Sequence, residues 1–255
     1  MNPPTKTDTK RQFTNATCSP RRRHYSIYSI EGNIGSGKST LMKMMKQIYK
    51  DKKHIVFIPE PVDEWLKITD KNGVNILNHF YHSKEEYAFS FQMMAYTTRL
   101  KIIRDTIDKN PDATVFITER CLDTDYNIFA KMLYDNGYIN EIKYKIYCHM
   151  FEQFQENFPI TQYIYIRTNP EVSYERVLKR NRKDEDIELS YLKVCHMYHE
   201  QWLTNKNNNV CIINGNSNKD FIEDDYSYWI SIINNAIEPC VKKLTFKEIC
   251  EFSTY

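Results

Sequence analysis

The feature that most constrains the fold of this chain is a glycine-rich segment between a short apolar run and an amphipathic helical pattern. Residues 32–39 read Gly-x-x-x-x-Gly-Lys-Ser, after the apolar run 25–30 and before the helical pattern 39–49. In such a strand–loop–helix unit, glycines let successive backbone N–H groups point at one anion, and the helix N-terminus adds positive potential. The segment predicts a phosphate-binding loop formed by Gly32, Asn33, Ile34, Gly35, Ser36, Gly37, Lys38, Ser39 and Thr40.

Two side chains of this loop have predicted contacts of their own. Lys38 is placed to reach the β- and γ-phosphates of a nucleotide, and Ser39 is placed to hold Mg²⁺. Because GTPases, motor ATPases and nucleotide kinases share such loops, the motif predicts a bound nucleotide but does not identify an acceptor.

Short runs rich in β-branched and aromatic residues alternate with longer helical patterns along the chain. The runs 25–30, 54–58, 114–118, 163–167 and 210–213 have the composition of buried strands. Helical patterns cover residues 39–49, 84–109, 124–135, 140–157, 170–181, 190–205 and 222–236. This alternation predicts an α/β fold, in which a parallel sheet of these strands has right-handed crossovers and is flanked by helices.

Composition and charge exclude several classes of protein. The 255 residues are 41% hydrophobic and carry a formal net charge of +2, so no global field attracts nucleic acid or an anionic membrane. No stretch approaches the roughly 18 apolar residues of a membrane span, and the N-terminus lacks the apolar core of a secretion signal. The seven cysteines form no CxxC pair, which favours reduced thiols used for packing. We expect a soluble cytoplasmic protein without nucleic-acid or membrane partners.

The two ends of the chain differ from its middle. Residues 1–23 are rich in Thr, Pro, Lys and Arg and lack apolar periodicity, which predicts a disordered leader. The folded domain then covers residues 24–236, and the tail 237–255 is unassigned. Arg21, Arg22 and Arg23 end the leader as a solvated charge run or as a signal for nuclear import or transit, so nuclear and mitochondrial locations stay open.

Charged side chains directly follow the second and third predicted strands. Glu60 lies between two prolines after the second run, and Glu119 and Arg120 follow the third. Ligands of open α/β sheets bind at the carboxyl ends of strands, so Glu60 is a candidate base for an attacking hydroxyl; an exposed loop glutamate is the alternative. Glu119 is a candidate Mg²⁺ ligand and Arg120 a contact to a nucleoside or phosphate oxygen, unless these charges serve a structural ion pair.

The helical pattern 170–181 carries arginines on one face. Arg176 and Arg180 are spaced i, i+4, and Arg182 follows them. Like charges on one face repel, so these arginines are either solvated or bind an anion. We favour an arginine-rich lid that closes on the transferring phosphate, adds positive charge and excludes water.

Five segments, in this order, resemble the deoxynucleoside kinase family, especially its deoxycytidine and deoxyguanosine kinase branch. They are IEGNIGSGKST, PEPVDEW, FSFQMMAYTTRL, TERCLDTDYNIFA and ERVLKRNRKDED, and the resemblance covers residues from about 25 to about 221. It implies a P-loop kinase fold, ATP as the phosphate donor, Mg²⁺ as cofactor and a homodimer. The implied reaction transfers the γ-phosphate of ATP to the 5′-hydroxyl of a deoxynucleoside in nucleotide salvage.

The resemblance also implies roles for the residues of the reaction and of the donor site. Lys38, Glu60 and Arg120 match the catalytic residues, with Glu60 as the base that takes the 5′-hydroxyl proton and Arg120 beside it. Glu119 and Ser39 would hold Mg²⁺. The remaining donor contacts implied are the lid residues Arg176, Arg180 and Arg182, and the donor-base loop Asp220 and Phe221.

The acceptor site is implied in the same way. Tyr81 and Glu185 resemble the pair that binds the sugar 3′-hydroxyl, and Gln92 resembles the residue that reads the base with two hydrogen bonds. The base would lie among the apolar side chains of Val62, Trp65, Leu77, Phe91 and Phe129, with room left by Ala95.

Arg99 and Asp125 bear on base preference. Family members that prefer cytosine or purines carry an arginine and an aspartate at these positions. A charged pair there fills the space that a thymine methyl group needs, so we expect deoxycytidine, deoxyadenosine or deoxyguanosine to be preferred over thymidine. The chain departs from the family pattern at Cys121, at Gly35-Ser36 and in an insertion over 214–219, which makes the match of Asp220 the least secure.

Two other functions share part of this pattern. A nucleoside monophosphate kinase has the same loop and lid, but it must bind a phosphate on its acceptor, which the carboxylate of Glu60 would repel. A nucleotide-dependent switch or scaffold would bind ATP without phosphorylating a nucleoside.

Overall fold

A parallel sheet forms the centre of the structure. A computed structural model describes residues 25–182, 186–205, 208–216 and 223–237. Its five strands are β1 (Ser26–Glu31), β2 (Ile55–Ile58), β3 (Val115–Glu119), β4 (Gln162–Arg167) and β5 (Val210–Asn214). They pair in the order β2-β3-β1-β4-β5, and all four pairings are parallel. The predicted α/β fold is confirmed, whereas the predicted leader and most of the tail lie outside the described residues.

Six long helices lie within a few residues of the patterns that predicted them. They are α1 (Lys38–Ile48), α4 (Lys84–Lys109), α7 (Glu141–Phe154), α8 (Pro170–Arg180), α9 (Leu189–Leu203) and α10 (Glu223–Ile237). A single 3₁₀ turn, Gln155–Asn157, extends α7. None of the helices in the described ranges is long and apolar enough to cross a membrane.

Two helices were not predicted from the sequence, because each has too few residues to show a periodic pattern. These are α2 (Val62–Leu66) and α3 (Ile76–His82). At the start of α3, the Oδ1 of Asn75 accepts a hydrogen bond from the backbone N–H of Asn78 at 2.9 Å, which satisfies one of the free donors of the first turn. The two helices follow β2 and bring apolar side chains towards α4.

The segment 124–135 is not the continuous α-helix that its pattern predicted. The chain forms α5 (Leu122–Thr124), a π-helical stretch over Asp125–Ala130, and then α6 (Lys131–Asp135). Hydrogen bonds of a π-helix run from residue i to i+5, so one extra residue enters the turn. In this conformation Asp125 and Phe129 both line the large cavity described below.

The sheet is covered on both faces. Side chains of α1 and α10, including Leu41, Met45 and Trp229, pack on one face with Ile30 and Ile117. On the other face, residues of α4 and α7 pack against β1, β2 and β3. A third cluster joins α2, α3, α4 and α9 beyond the end of the sheet. The carboxyl ends of β1, β2 and β3 therefore open towards a helical layer, which is where ligands bind in such sheets.

Candidate active site

The loop between β1 and α1 has the geometry of a phosphate site. Gly37 precedes α1 with a φ of 102°, a left-handed conformation that glycine adopts without steric cost. A Cβ on Gly32 would lie 2.8 Å from the carbonyl oxygen of Ile166, so the loop also needs glycine for close approach to β4. The side chain of Asn33 turns away from the opening, and its Nδ2 donates to the carbonyl of Leu192 in α9 at 2.8 Å.

Lys38 is buried at the start of α1. Its Nζ donates to the carbonyl oxygens of Gly32 at 2.9 Å and Asn33 at 2.8 Å. Burial and the neighbouring Arg120 lower the pKa of this ammonium group to about 7, although nearby carboxylates oppose them. A phosphate at the loop would add negative charge next to Lys38 and favour its charged form.

Ser39 and Glu119 meet although they lie in different elements. The Oγ of Ser39 donates to the Oε1 of Glu119 at 2.7 Å. Two oxygen donors at the mouth of a phosphate loop fit Mg²⁺, which binds through one or two protein oxygens and substrate phosphates. The two predicted ligands thus form one candidate site.

Glu60 lies between two arginines. Its Oε1 accepts hydrogen bonds from the Nη1 of Arg120 at 2.7 Å and the Nη2 of Arg99 at 3.0 Å, and its side chain is 14% exposed. Burial alone would raise the pKa of Glu60, but Arg120, Arg99 and Lys38 together lower it to about 2. Glu60 is therefore a carboxylate at neutral pH, and the interpretation as a solvated loop glutamate is wrong.

Arg99 connects Glu60 with Asp125. Its Nε donates to the Oδ2 of Asp125 at 2.8 Å, and its Nη1 to the carbonyl of Glu119 at 2.9 Å. The side chains of Arg99 and Asp125 are each 2% exposed. Burial raises the pKa of Asp125, and the adjacent Arg99 opposes that rise. The two residues thus pair as the sequence pattern suggested, but Arg99 also contacts the candidate base.

Arg120 has an unusual backbone. Its φ is 62°, and the left-handed region costs a residue with a side chain about 1–2 kcal/mol. This conformation lets Arg120 reach Glu60 while its Nη2 donates to the carbonyl of Gly32 at 3.3 Å. Its guanidinium also lies 5.1 Å from the ring centre of Phe129, within the range of a cation–π contact.

One cavity of about 750 Å³ joins the phosphate loop to these charges. Its volume is within the range of sites that bind small molecules. Most of the side chains predicted from sequence line it, namely Lys38, Ser39, Thr40, Glu60, Val62, Trp65, Leu77, Tyr81, Phe91, Gln92, Ala95, Arg99, Glu119, Arg120, Asp125, Phe129, Arg176, Arg180 and Arg182. Glu185, Asp220 and Phe221 lie outside the described residues.

Gln92 has an open acceptor. The residue is 2% exposed, and its Oε1 has no hydrogen-bond partner within the described parts of the chain. A buried amide oxygen without a partner is costly, and this one belongs to a residue that lines the cavity. This oxygen is therefore available to a ligand.

Two arginines of α8, Arg176 and Arg180, line the cavity together with Arg182, which lies just beyond the helix. Arg176 donates to the carbonyls of Ser36 at 3.3 Å and Gly215 at 3.0 Å. Arg180 and Arg182 also line the cavity and are exposed. Arg176 therefore joins α8 to the phosphate loop.

Several lining residues were missed by the sequence analysis. Lys179 is three residues from Arg176, a helical spacing that could have identified it. Phe80 precedes Tyr81 in α3, which was not predicted. Tyr191 comes from α9, and its ring lies 6.4 Å from that of Tyr81; no local pattern marks it, because only the tertiary fold brings α9 to α3. Pro59 and Asp63 complete the wall around Glu60.

Comparison with known proteins gives one consistent result. The profile of a family described as deoxynucleoside kinase matches residues 28–238. A probable deoxycytidine kinase of fowlpox virus is 35% identical over 227 residues, which cover 87% of this chain and 90% of the viral protein. Human deoxycytidine kinase is 32% identical over 220 residues, covering 78% and 84%. The mitochondrial deoxyguanosine kinase of Xenopus laevis is 30% identical over 205 residues, covering 73% and 76%.

The environment of Glu60 predicts how stability depends on pH. Glu60 has a lower pKa in the folded protein than its ordinary 4.5, so its ionised form stabilises the fold above that pH and this contribution is lost as pH falls towards 2. Arg120→Met removes one partner of the buried carboxylate and should cost about 3–5 kcal/mol at neutral pH. At about pH 4 the wild type has already lost part of the stability that ionised Glu60 supplies, whereas the variant has little of it to lose. The difference in free energy of unfolding between the two proteins should therefore be smaller at pH 4 than at neutral pH.

Urea unfolding of the wild type and of Arg120→Met, at neutral pH and at about pH 4, measures the difference in their free energies of unfolding. Arg104→Met, on an exposed side of α4, serves as the control and should change stability little at either pH. An equal deficit of Arg120→Met at both pH values would contradict the role of Arg120 in keeping Glu60 ionised.

Proposed function

This chain belongs to the deoxynucleoside kinase family, and we propose that it transfers the γ-phosphate of ATP to the 5′-hydroxyl of a deoxynucleoside. The products would be the deoxynucleoside 5′-monophosphate, which enters nucleotide salvage, and ADP. The observation that carries the proposal is the carboxylate of Glu60, held by Arg99 and Arg120 in the same cavity as the phosphate loop. Such an arrangement suits an acceptor with a free hydroxyl.

Glu60 and Arg120 would act on the acceptor oxygen. As the 5′-oxygen attacks the γ-phosphorus, its O–H bond breaks, Glu60 takes the proton, and the bond from the γ-phosphorus to the bridging oxygen of ADP breaks. Phosphoryl transfer passes through a loose transition state and depends chiefly on positioning and charge. With a pKa of about 2, Glu60 would first orient the hydroxyl through a hydrogen bond and accept its proton late.

The phosphates of the donor would bind along the loop. Lys38 would neutralise the β- and γ-phosphates, and the backbone N–H groups at the start of α1 would hold their oxygens. Ser39 and Glu119, which lie 2.7 Å apart, would hold Mg²⁺. When bound, Mg²⁺ would neutralise the charge that develops between the β- and γ-phosphates. Arg176, Arg180 and Arg182 would close as a lid, while Asp220 and Phe221 would bracket the donor base.

The opposite end of the cavity would hold the nucleoside. Gln92, whose Oε1 has no partner in the described residues, would bind the edge of the base. The base would lie among Val62, Trp65, Leu77, Phe91 and Phe129, with Ala95 leaving room for a larger ring. Tyr81 would bind the 3′-hydroxyl of the sugar together with Glu185. These contacts would select a nucleoside that carries a 3′-hydroxyl.

The buried pair of Arg99 and Asp125 supports a preference among bases. The pair lies in the wall of the cavity, where it would take the space that a thymine methyl group needs. We therefore propose deoxycytidine, deoxyadenosine or deoxyguanosine as acceptors in preference to thymidine.

The alternative function is that of a nucleoside monophosphate kinase, and the carboxylate of Glu60 is evidence against it. A monophosphate acceptor would bring negative charge to the position of the 5′-hydroxyl, next to a carboxylate with a depressed pKa. An assay with deoxycytidine and deoxycytidine monophosphate separates the two functions, because activity on the monophosphate alone would contradict the proposal.

Replacing Glu60 tests the assignment of the base. Glu60→Gln should lower kcat by about 10²–10⁴-fold, the usual contribution of a positioned acid or base, while deoxynucleoside binding by calorimetry changes little. Glu64→Gln, on the exposed side of α2 next to Lys67, is the matched control and should keep the kcat of the wild type. Near-normal turnover by Glu60→Gln would show that another group receives the proton.

Replacing the charged pair tests base preference. Arg99→Met with Asp125→Ala should raise the ratio of kcat/KM for thymidine over deoxycytidine by about tenfold or more. Because Arg99 also donates to Glu60, kcat should fall with every acceptor. A panel of four deoxynucleosides and the matching ribonucleosides measures both effects, with Lys101→Met on the exposed side of α4 as control. An unchanged ratio would refute the assigned role of the pair.

We also propose a homodimer in which α7 contributes to the interface. Ile142 and Ile146 lie one turn apart on α7 and are 67% and 47% exposed, an arrangement that a second copy of the chain could cover. Ile142→Glu with Ile146→Glu should therefore convert a dimer to a monomer in sedimentation velocity. Met197→Glu, at an exposed position of α9, should remain dimeric; dissociation of both variants, or of neither, would contradict this interface.

A cytoplasmic location stays a prediction.

A further inference from the structure

The left-handed backbone of Arg120 needs support from its surroundings. A residue other than glycine keeps such a conformation only when neighbouring contacts over-determine it. Arg120 itself has two backbone contacts: its N–H donates to the carbonyl of Ile30 at 3.1 Å, and its carbonyl accepts from the Oγ1 of Thr118 at 2.7 Å. The direction in which the chain leaves Arg120 depends on the next peptide unit.

Thr124 fixes that next peptide unit. Its Oγ1 accepts a hydrogen bond from the backbone N–H of Cys121 at 3.0 Å and donates one to the Oε1 of Glu31 at 2.7 Å. Thr124 and Glu31 are both 0% exposed, so water cannot replace either bond. A hydroxyl carries a single hydrogen, and the bond to Glu31 uses it, which leaves the lone pairs of Thr124 for Cys121.

Glu31 belongs to β1 and has no part in the proposed transfer. Its Oε1 also accepts from the Oγ of Ser29, whereas its Oε2 has no partner within the described residues. Burial raises the pKa of Glu31, and the hydrogen bonds from Ser29 and Thr124, with the charge of Arg120, oppose that rise. The Oε1 can accept from Thr124 in either protonation state, so the contact does not depend on the charge of Glu31.

We propose that Glu31 and Thr124 are positioning residues that hold the backbone of Arg120, and through it the guanidinium that contacts Glu60. The proposal rests on the proposed function, because it assigns these residues to the same phosphoryl transfer. It also links the two halves of the site, since Glu31 directly precedes the phosphate loop and Arg120 contacts the acceptor base. Neither residue is among those that line the cavity.

Thr124→Val removes the hydroxyl and keeps the shape of the side chain. The guanidinium of Arg120 should then move away from Glu60, and kcat should fall by about tenfold to a hundredfold, as expected for small misplacements of a catalytic group. The KM for deoxynucleoside should change less than about twofold, because the pocket for the base does not involve Thr124. Thr124→Ser keeps the hydroxyl and should restore most of the activity.

The pH profile separates this role from a loss of stability. Glu60 is surrounded by Arg120, Arg99 and Lys38, with Asp125 and Glu119 close to these cations. If Arg120 moves away, the pKa of Glu60 rises, and the acidic limb of the kcat profile should move to higher pH in Thr124→Val. Thr168→Val makes the same change at a buried threonine whose Oγ1 has no partner in the described ranges. It should leave the acidic limb unchanged.

Crystal structures of the wild type and Thr124→Val provide a readout that does not need activity. The proposal predicts changed φ and ψ angles at Arg120 and a longer distance from its Nη1 to the Oε1 of Glu60. It is overturned if the folded variant keeps that geometry, or if its kcat and acidic limb match those of the wild type. It is equally overturned if Thr124→Ser loses as much activity as Thr124→Val.

Failure of the proposed function can be told apart from failure of the positioning role, and a substitute variant covers the case in which Thr124→Val does not fold. A wild type that phosphorylates no deoxynucleoside would refute the proposed function, while the two crystal structures would still test the positioning of Arg120. Should Thr124→Val not fold, Thr124→Ala removes the same hydroxyl without a buried methyl group in its place, and the same measurements decide.

Discussion

The carboxylate of Glu60 lies below the surface between two guanidinium groups, and much of the structure serves to keep these three charges together. A buried carboxylate without partners would take up a proton, so Arg99 and Arg120 keep Glu60 ionised. Each arginine comes from a different element, α4 and the end of β3, while Glu60 follows β2. The site therefore forms only when the sheet and its helical layer are both in place.

The balance of charge in the cavity explains why further cations lie at its rim. Lys38, Arg99 and Arg120 are buried close to the carboxylates of Glu60, Glu119 and Asp125. These charges largely offset one another, so a nucleoside triphosphate would add negative charge that the buried groups do not neutralise. Arg176, Arg180 and Arg182 line the same cavity, so they add positive charge to its wall.

The sequence predicted the sheet and six of the longer helices because these depend on local patterns, whereas most of the cavity wall was implied by the resemblance to deoxynucleoside kinases. The phosphate loop, Glu60 and Arg120 each follow an apolar run directly, and the ends of parallel strands must meet at one edge. Tyr191 was not predicted, since its place beside Tyr81 depends on the packing of α9. The bond from Arg99 to Glu60 was missed for the same reason: 39 residues separate them.

The π-helical stretch Asp125–Ala130 also has a consequence for how this chain can change. Each residue of an α-helix turns the chain by about 100°. A π-turn takes up one residue more than an α-turn, so deleting one residue here would allow a regular helix while the following turn, with the buried Met132 and Leu133, kept its orientation. A deletion between Asp125 and Phe129 would instead shorten the spacing of two side chains that line the cavity. The extra residue of this segment therefore sets how these two side chains are presented to the cavity, independently of the core contacts that follow.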